Sequence, residues 1–111
     1  MNEIEKLYEN AGIEKQSYFV RQKETYNIFE IKYPPFTAEK QLELIKFLME
    51  QEDFSWIIAQ QGKDTEYAFY VGYEYSSKDF REFTEALAGL INNLWQDLTE
   101  EEKEQIRGIL K

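Results

Sequence analysis

The strongest restriction on the fold is a pattern met twice, an alternating aromatic strand followed at once by a capped helix. Over residues 25–33 (TYNIFEIKY), Asn27, Phe29, Ile31 and Tyr33 fall on one side, and Tyr26, Ile28, Glu30 and Lys32 on the other. That is the two-residue period of a strand. An extended segment at 17–22 (SYFVRQ) precedes it, with Lys23 and Glu24 between, which predicts a hairpin. Pro34 and Pro35 stop the strand, since neither can donate to a ladder. Thr37 is a good N-cap for the next helix, with Glu39 in its first turn. Its apolar stripe is Leu42, Ile45, Leu48 and Met49, widened by Leu44 and Phe47, and the helix should end near Gln51 to Asp53.

The pattern then returns. Segments 54–60 (FSWIIAQ) and 66–75 (EYAFYVGYEY) flank the turn residues Gly62, Lys63 and Asp64. In the second segment Tyr67, Phe69, Val71, Tyr73 and Tyr75 share a face, opposite Glu66, Ala68, Tyr70, Gly72 and Glu74. Ser77 is placed to cap a longer helix carrying Phe80, Phe83, Leu87, Leu90, Ile91 and Leu94, with the small residues Ala86, Ala88 and Gly89 allowing close approach of another element. A 40-residue shift lays Phe29 on Phe69, Ile31 on Val71, Tyr33 on Tyr73, Thr37 on Ser77 and Glu39 on Asp79. The helix stripes do not keep register. A ββα pseudo-repeat (17–51 and 54–96) and a chance recurrence of a strand with a capped helix both account for this.

Short helices are expected at the ends. Ile4, Leu7, Tyr8 and Ala11 recur at helical spacing before Gly12, a left-handed stop. Thr99 and Glu102 form a T-x-x-E capping box ahead of Ile106, Ile109 and Leu110. The expected fold is α+β in one domain, 1–111, of order α-ββ-α-ββ-α-α. It has a four-stranded, mainly antiparallel sheet with the two main helices on one face. Phe29, Ile31, Phe69, Val71 and Tyr73 would face the helices.

Composition narrows the chemistry. The 111 residues include no Cys and no His. Disulfides, thiol nucleophiles, Cys/His zinc sites and imidazole catalysis are therefore excluded. There is no Gly-rich phosphate loop, no G-x-S-x-G elbow and no D-x-D-x-D-G calcium loop. Glu30, Glu66 and Glu74 lie on strands, but their spacing points to no acid–base pair. The reading is a non-enzyme with no catalytic, cofactor-binding or metal-binding residues. Thirteen basic against 22 acidic residues give a formal charge of −9. That opposes direct binding to nucleic acid or to an anionic membrane. No apolar run reaches the roughly 20 residues of a membrane span, and the charged start, MNEIEKLYEN, does not read as a signal peptide. A cytoplasmic location is expected.

Aromatic residues make up 16% of the chain, with eight tyrosines. If the Tyr67 face meets the helices, Tyr26, Ile28 and Tyr70 lie on the open face of the sheet. Such a patch can bind a protein or a second copy, or it can be ordinary cross-strand stacking with the hydroxyls in water. Near the C-terminus Glu100, Glu101, Glu102 and Glu104 form a row of carboxylates. The helix dipole favours acids there, and a DNA-mimicking face built on Glu100, Glu101 and Glu104 is the functional alternative.

Three stretches, EIEKLYENAGI (3–13), YPPFTAEKQLELIKFL (33–48) and DLTEEEKEQIRGILK (97–111), together resemble short uncharacterised proteins encoded in phages and prophages of Gram-positive bacteria. The resemblance leaves out the aromatic strand at 66–75. It implies a small accessory protein of the bacterial host cytoplasm and carries no catalytic residues. The expected function is a non-enzymatic acidic interaction module that binds a host or phage protein. The alternatives are a self-associating structural protein, as a homodimer, or a DNA-mimic inhibitor of a nucleic-acid enzyme.

Overall fold

A computed structural model describes residues 2–51, 53–61, 63–72, 75–76 and 82–111, with the backbone alone described for 56–61 and 75–76. The class is α+β. The helices are α1 (Glu3–Asn10), α2 (Ala38–Met49), α3 (Phe83–Leu94) and α4 (Glu100–Leu110). The strands are β1 (Gln16–Lys23), β2 (Tyr26–Lys32), β3 (Phe54–Gln61), β4 (Asp64–Val71) and β5 (Tyr75–Ser76). β5 falls between β4 and α3, so the order differs from the expected one by an added strand. A single 3-10 turn, Trp95–Asp97, joins α3 to α4.

Local chemistry sets the helix ends. The Asn2 side chain accepts from the Glu5 N–H at 2.8 Å, and Gly12 turns the chain away at φ +72°. Thr37 accepts from the Lys40 N–H, and Thr99 and Glu102 form the reciprocal capping box. α3 starts at Phe83 behind Glu82, which makes no side-chain cap bond. The Ser77 cap, Asp79, Phe80, the Gly62 turn position, Tyr73 and Glu74 lie outside the described residues.

The expected four-stranded sheet is replaced by two separate sheets. β1 and β2 form a two-stranded antiparallel hairpin, and β3-β4-β5 form a three-stranded antiparallel sheet. β4 stops at Val71 rather than continuing to residue 75. Gly72 still donates its N–H to the Asp53 carbonyl across from it at 3.1 Å, but its φ of +60° leaves the extended conformation and ends the strand. Gly72→Ala is expected to lower stability by about 1–2 kcal/mol in urea unfolding, the cost of a side chain in left-handed backbone. Space is not the reason, since a Cβ there would meet Asp53 at an ordinary 3.8 Å.

α3 is the centre of the molecule. Ala86 to Asn92 are buried without interruption, as in a helix covered all round. β4 and β5 cover one side, α1 and α2 cover others, and α4 packs on α2. The expectation that both main helices share a sheet face fails, because α2 lies on α3 and α4. The odd-numbered face of β4 does meet α3. Phe69 is buried, and Phe83 makes edge contacts with Tyr67 at 5.6 Å and Phe69 at 5.3 Å.

Two polar ties close the helical layer. Asn92, buried on α3, donates at 2.8 Å to both the Glu3 carbonyl and the Glu3 carboxylate, and accepts from the Asn10 amide at 3.0 Å. The Glu3 N–H in turn donates to Glu85 at 2.9 Å. At the other end Lys40 Nζ donates to the Leu110 carbonyl at 2.9 Å, and Arg107 Nε donates to the Ala11 carbonyl at 2.6 Å. Cations thus cap the carbonyl ends of α4 and α1. Burial lowers the Lys40 pKa.

The hairpin stands apart. Among the described residues the core is built from α1, α2, β4, α3, α4, Ala11 and Ile13, and no residue of β1 or β2 enters it. Phe29 and Ile31, expected to face the helices, are 55% and 70% exposed. The radius of gyration is 16.3 Å and the extents are 56 × 42 × 22 Å. A compact chain of this length would have a radius near 13 Å.

Candidate functional site

The hairpin is the feature the core does not explain. Its strands form for local reasons, being rich in aromatic and β-branched residues. Two residues, Glu24 and Thr25, join them between the Lys23–Tyr26 pair, one position later than Lys23–Glu24, with Glu24 at φ +56°. Ser17 stands opposite Ile31 and Phe19 opposite Phe29, and the register then slips at Val20, an irregularity that re-aims a side chain.

This register gives the arm two unlike faces. One carries Phe19, Phe29 and Ile31 at its centre and base, with Ser17 beside Ile31 and the Gln22–Asn27 pair toward the tip, and Phe19 and Phe29 are in edge contact at 6.0 Å. Phe19 and bulged Val20 are 59% and 52% exposed, so this is an open apolar face. The other face carries Tyr18, Arg21, Lys23, Tyr26, Ile28, Glu30 and Lys32. There Lys32 lies 5.5 Å from the Tyr18 ring and 3.6 Å from the Glu30 carboxylate. Charge divides in the same way along the chain. Residues 16–32 hold three cations (Arg21, Lys23, Lys32) and two acids (Glu24, Glu30), a balance of +1 that leaves −10 on the rest.

The arm is fixed at its base. Tyr33 stacks on Tyr8 of α1 at 5.3 Å and 10°, Phe36 meets the same ring edge-on at 6.2 Å, and Pro34 is buried. A cavity of about 350 Å³ opens beside them, lined in part by Ile4, Glu5, Tyr8, Lys15, Ile31 and Tyr33. The Tyr8 hydroxyl is buried without a hydrogen-bond partner. Burial, and then the nearby Tyr18 phenol, push its pKa up to about 12. Between pH 10 and 12 the unfolded phenol ionises while the folded one keeps its proton, so stability falls across that window. Tyr8→Phe keeps the stacked ring and drops the orphan hydroxyl. It is expected to raise stability at pH 7 by about 1 kcal/mol and to flatten the decline from pH 10 to 12, both read from urea unfolding.

The sequence-derived surface residues do not form one patch. Tyr26, 52% exposed, and half-buried Ile28 lie on the charged face of the arm. Tyr70 is half-buried on β4, in the other sheet. Glu100, Glu101 and Glu104 are exposed on α4. Glu100 pairs with Lys103 at 3.6 Å, Glu104 pairs with Arg107, and Glu102 is held by its cap and by Gln51. Two of the four acids thus have a cation one turn away. The residues missed as surface were Phe19, Val20, Phe29 and Ile31. Consecutive rather than alternating apolar residues at 18–20, and the cationic balance of 16–32, were the available signals. Among the described residues no group of three acids could hold a metal ion, and no helix is long and apolar enough to cross a membrane. No protein family, curated protein or solved structure matches the chain.

Proposed function

We propose that this chain is a non-enzymatic interaction module, of the kind phages and prophages encode, that grips a protein surface with the β1–β2 arm. One observation carries the reading. An apolar sheet face built on Phe19, Phe29 and Ile31, with bulged Val20 beside it, stands outside the core. A sheet face of this kind needs a covering layer, and a two-stranded hairpin alone in water is marginal. The arm's balance of +1 suits a protein surface with an apolar strip and an acidic rim, and not a basic channel. Ion pairing along α4 gives DNA mimicry less to work with.

The test compares two variants against wild type, reading self-association by sedimentation and host binding by capture, mass-spectrometric identification and reassembly from purified components. Phe29→Asp with Ile31→Asp is expected to abolish the associations that wild type makes. Glu100→Lys, Glu101→Lys and Glu104→Lys together should retain them. An arm variant that keeps every association would overturn the proposal.

A further inference from the structure

The chain has a second apolar face without a partner. On α2 the stripe expected to pack inward is split. Leu44, Phe47 and Leu48 are buried, while Leu42 and Met49 are 53% and 64% exposed with half-buried Ile45 between them. Leu42, Ile45 and Met49 lie three and four residues apart, on one side of the helix. An open sheet face and an open helix stripe thus sit in one chain, joined by only the five residues 33–37. The second ββα half shows the closed form of such a unit, with Tyr67 and Phe69 of β4 on Phe83 of α3.

In the first half the connection keeps the two faces apart. Tyr33 and Phe36 are held on the Tyr8 ring, and Pro34 and Pro35 fix φ on the way between them. Folding the arm back on its own α2 would break these contacts.

Resting on the reading of the arm given above, we propose that the partner is a second copy of this chain, with the arm of each protomer laid across the α2 stripe of the other. Two further observations support this occupant. The arm, residues 16–32, carries +1 and the remainder −10, so arm-on-body contact brings opposite net charges together where arm-on-arm contact would not. Size also fits. The exposed parts of Phe19, Val20, Phe29 and Ile31 come to roughly 400 Å², taking about 200 Å² for a whole aromatic side chain. Leu42, Met49 and the open part of Ile45 add roughly 300 Å², so one arm on one stripe would bury about 700 Å² in total, the range of crystal-packing contacts, whereas a reciprocal pair would bury about 1,400 Å², within the range of a specific interface. Two-fold exchange uses both faces of both protomers, so assembly closes at the dimer.

The purified chain is examined by sedimentation velocity from 1 to 200 µM. A dimer is expected that dissociates on dilution and is weakened by salt. Phe29→Asp with Ile31→Asp, and separately Leu42→Asp with Met49→Asp, should each raise the dimer Kd at least 100-fold while the far-ultraviolet circular dichroism stays that of wild type. The chain contains no cysteine, so Ile31→Cys and Met49→Cys single variants map the contact without background. Mixed under mild oxidation, the two should cross-link faster than either alone. A wild-type monomer at 200 µM overturns the inference, while the arm proposal stands if the arm variant loses a different protein. A dimer that survives the α2 substitutions, or that cross-links only through Ile31→Cys, is an arm-on-arm dimer and also overturns it.

Discussion

Asn92→Ala is expected to cost about 2–4 kcal/mol and to lower the midpoint of thermal unfolding by roughly 10–15 °C. The Asn92 amide donates to the carbonyl and the carboxylate of Glu3, and its oxygen accepts from Asn10. Truncation leaves three partly buried polar groups without this partner at the contact between α1 and α3. The damage should be local at first, because α1 also supplies Leu7 and Tyr8 to the core and holds the base of the arm through Tyr33. Gln96→Ala, at an exposed position in the same part of the chain, should stay within about 0.5 kcal/mol of wild type. A shift of less than 3 °C for Asn92→Ala would mean that the network contributes little to the α1–α3 contact.

Phe29→Asp with Ile31→Asp is the opposite case, expected to be nearly silent in stability and severe in association. At a dilution where wild type is monomeric, the midpoint of thermal unfolding should stay within about 2 °C of wild type, as for exposed positions generally. Both side chains are more than half exposed and neither belongs to the core. Association should weaken by at least about 10²–10³-fold, the consequence of losing two interface side chains worth about 2 kcal/mol each, and by more in a two-fold dimer, where each is lost twice. Thermal unfolding followed by circular dichroism at 1 µM and sedimentation up to 200 µM separate the two effects. A fall of 10 °C or more would place these residues in a core, against their exposure.

Much of the fold can be read in the residues. The Thr37 cap, the Thr99–Glu102 box, the Gly12 stop and the covered face of β4 all follow from local rules and form as expected. Failure begins where a face must be assigned a cover. The alternation over 25–33 establishes which side chains share a face, and Phe29 and Ile31 do share one. It does not establish that another element lies over them. β1 could have warned of this, because Tyr18, Phe19 and Val20 are consecutive and the strand slips at Val20 instead of presenting a regular apolar row. α2 failed for a related reason. Six apolar residues wrap so much of the helix that its rotation is undetermined, and the structure turns Leu44, Phe47 and Leu48 inward while leaving Leu42 and Met49 out. The β4 segment was drawn too long because Gly72, a signal for positive φ, was counted within an alternating run.

The candidate surface was half legible on the same grounds. Tyr26 and Ile28 are on the arm but on its charged face, and Tyr70 belongs to the other sheet. Grouping them required a single four-stranded sheet, which neither the hairpin's register nor the turn chemistry demands.

Residues 16–32 form an arm outside the core, with an apolar face open to a covering surface. Amide hydrogen exchange tests it most directly, measured at 1 µM and again at 200 µM. At 1 µM the arm amides should exchange far faster than those of Ala86 to Ile91 in α3, since the hairpin can open without global unfolding. At 200 µM the arm should gain protection while α3 is unchanged. Arm amides as protected as those of α3 at both concentrations would contradict it, because the hairpin would then be part of the core.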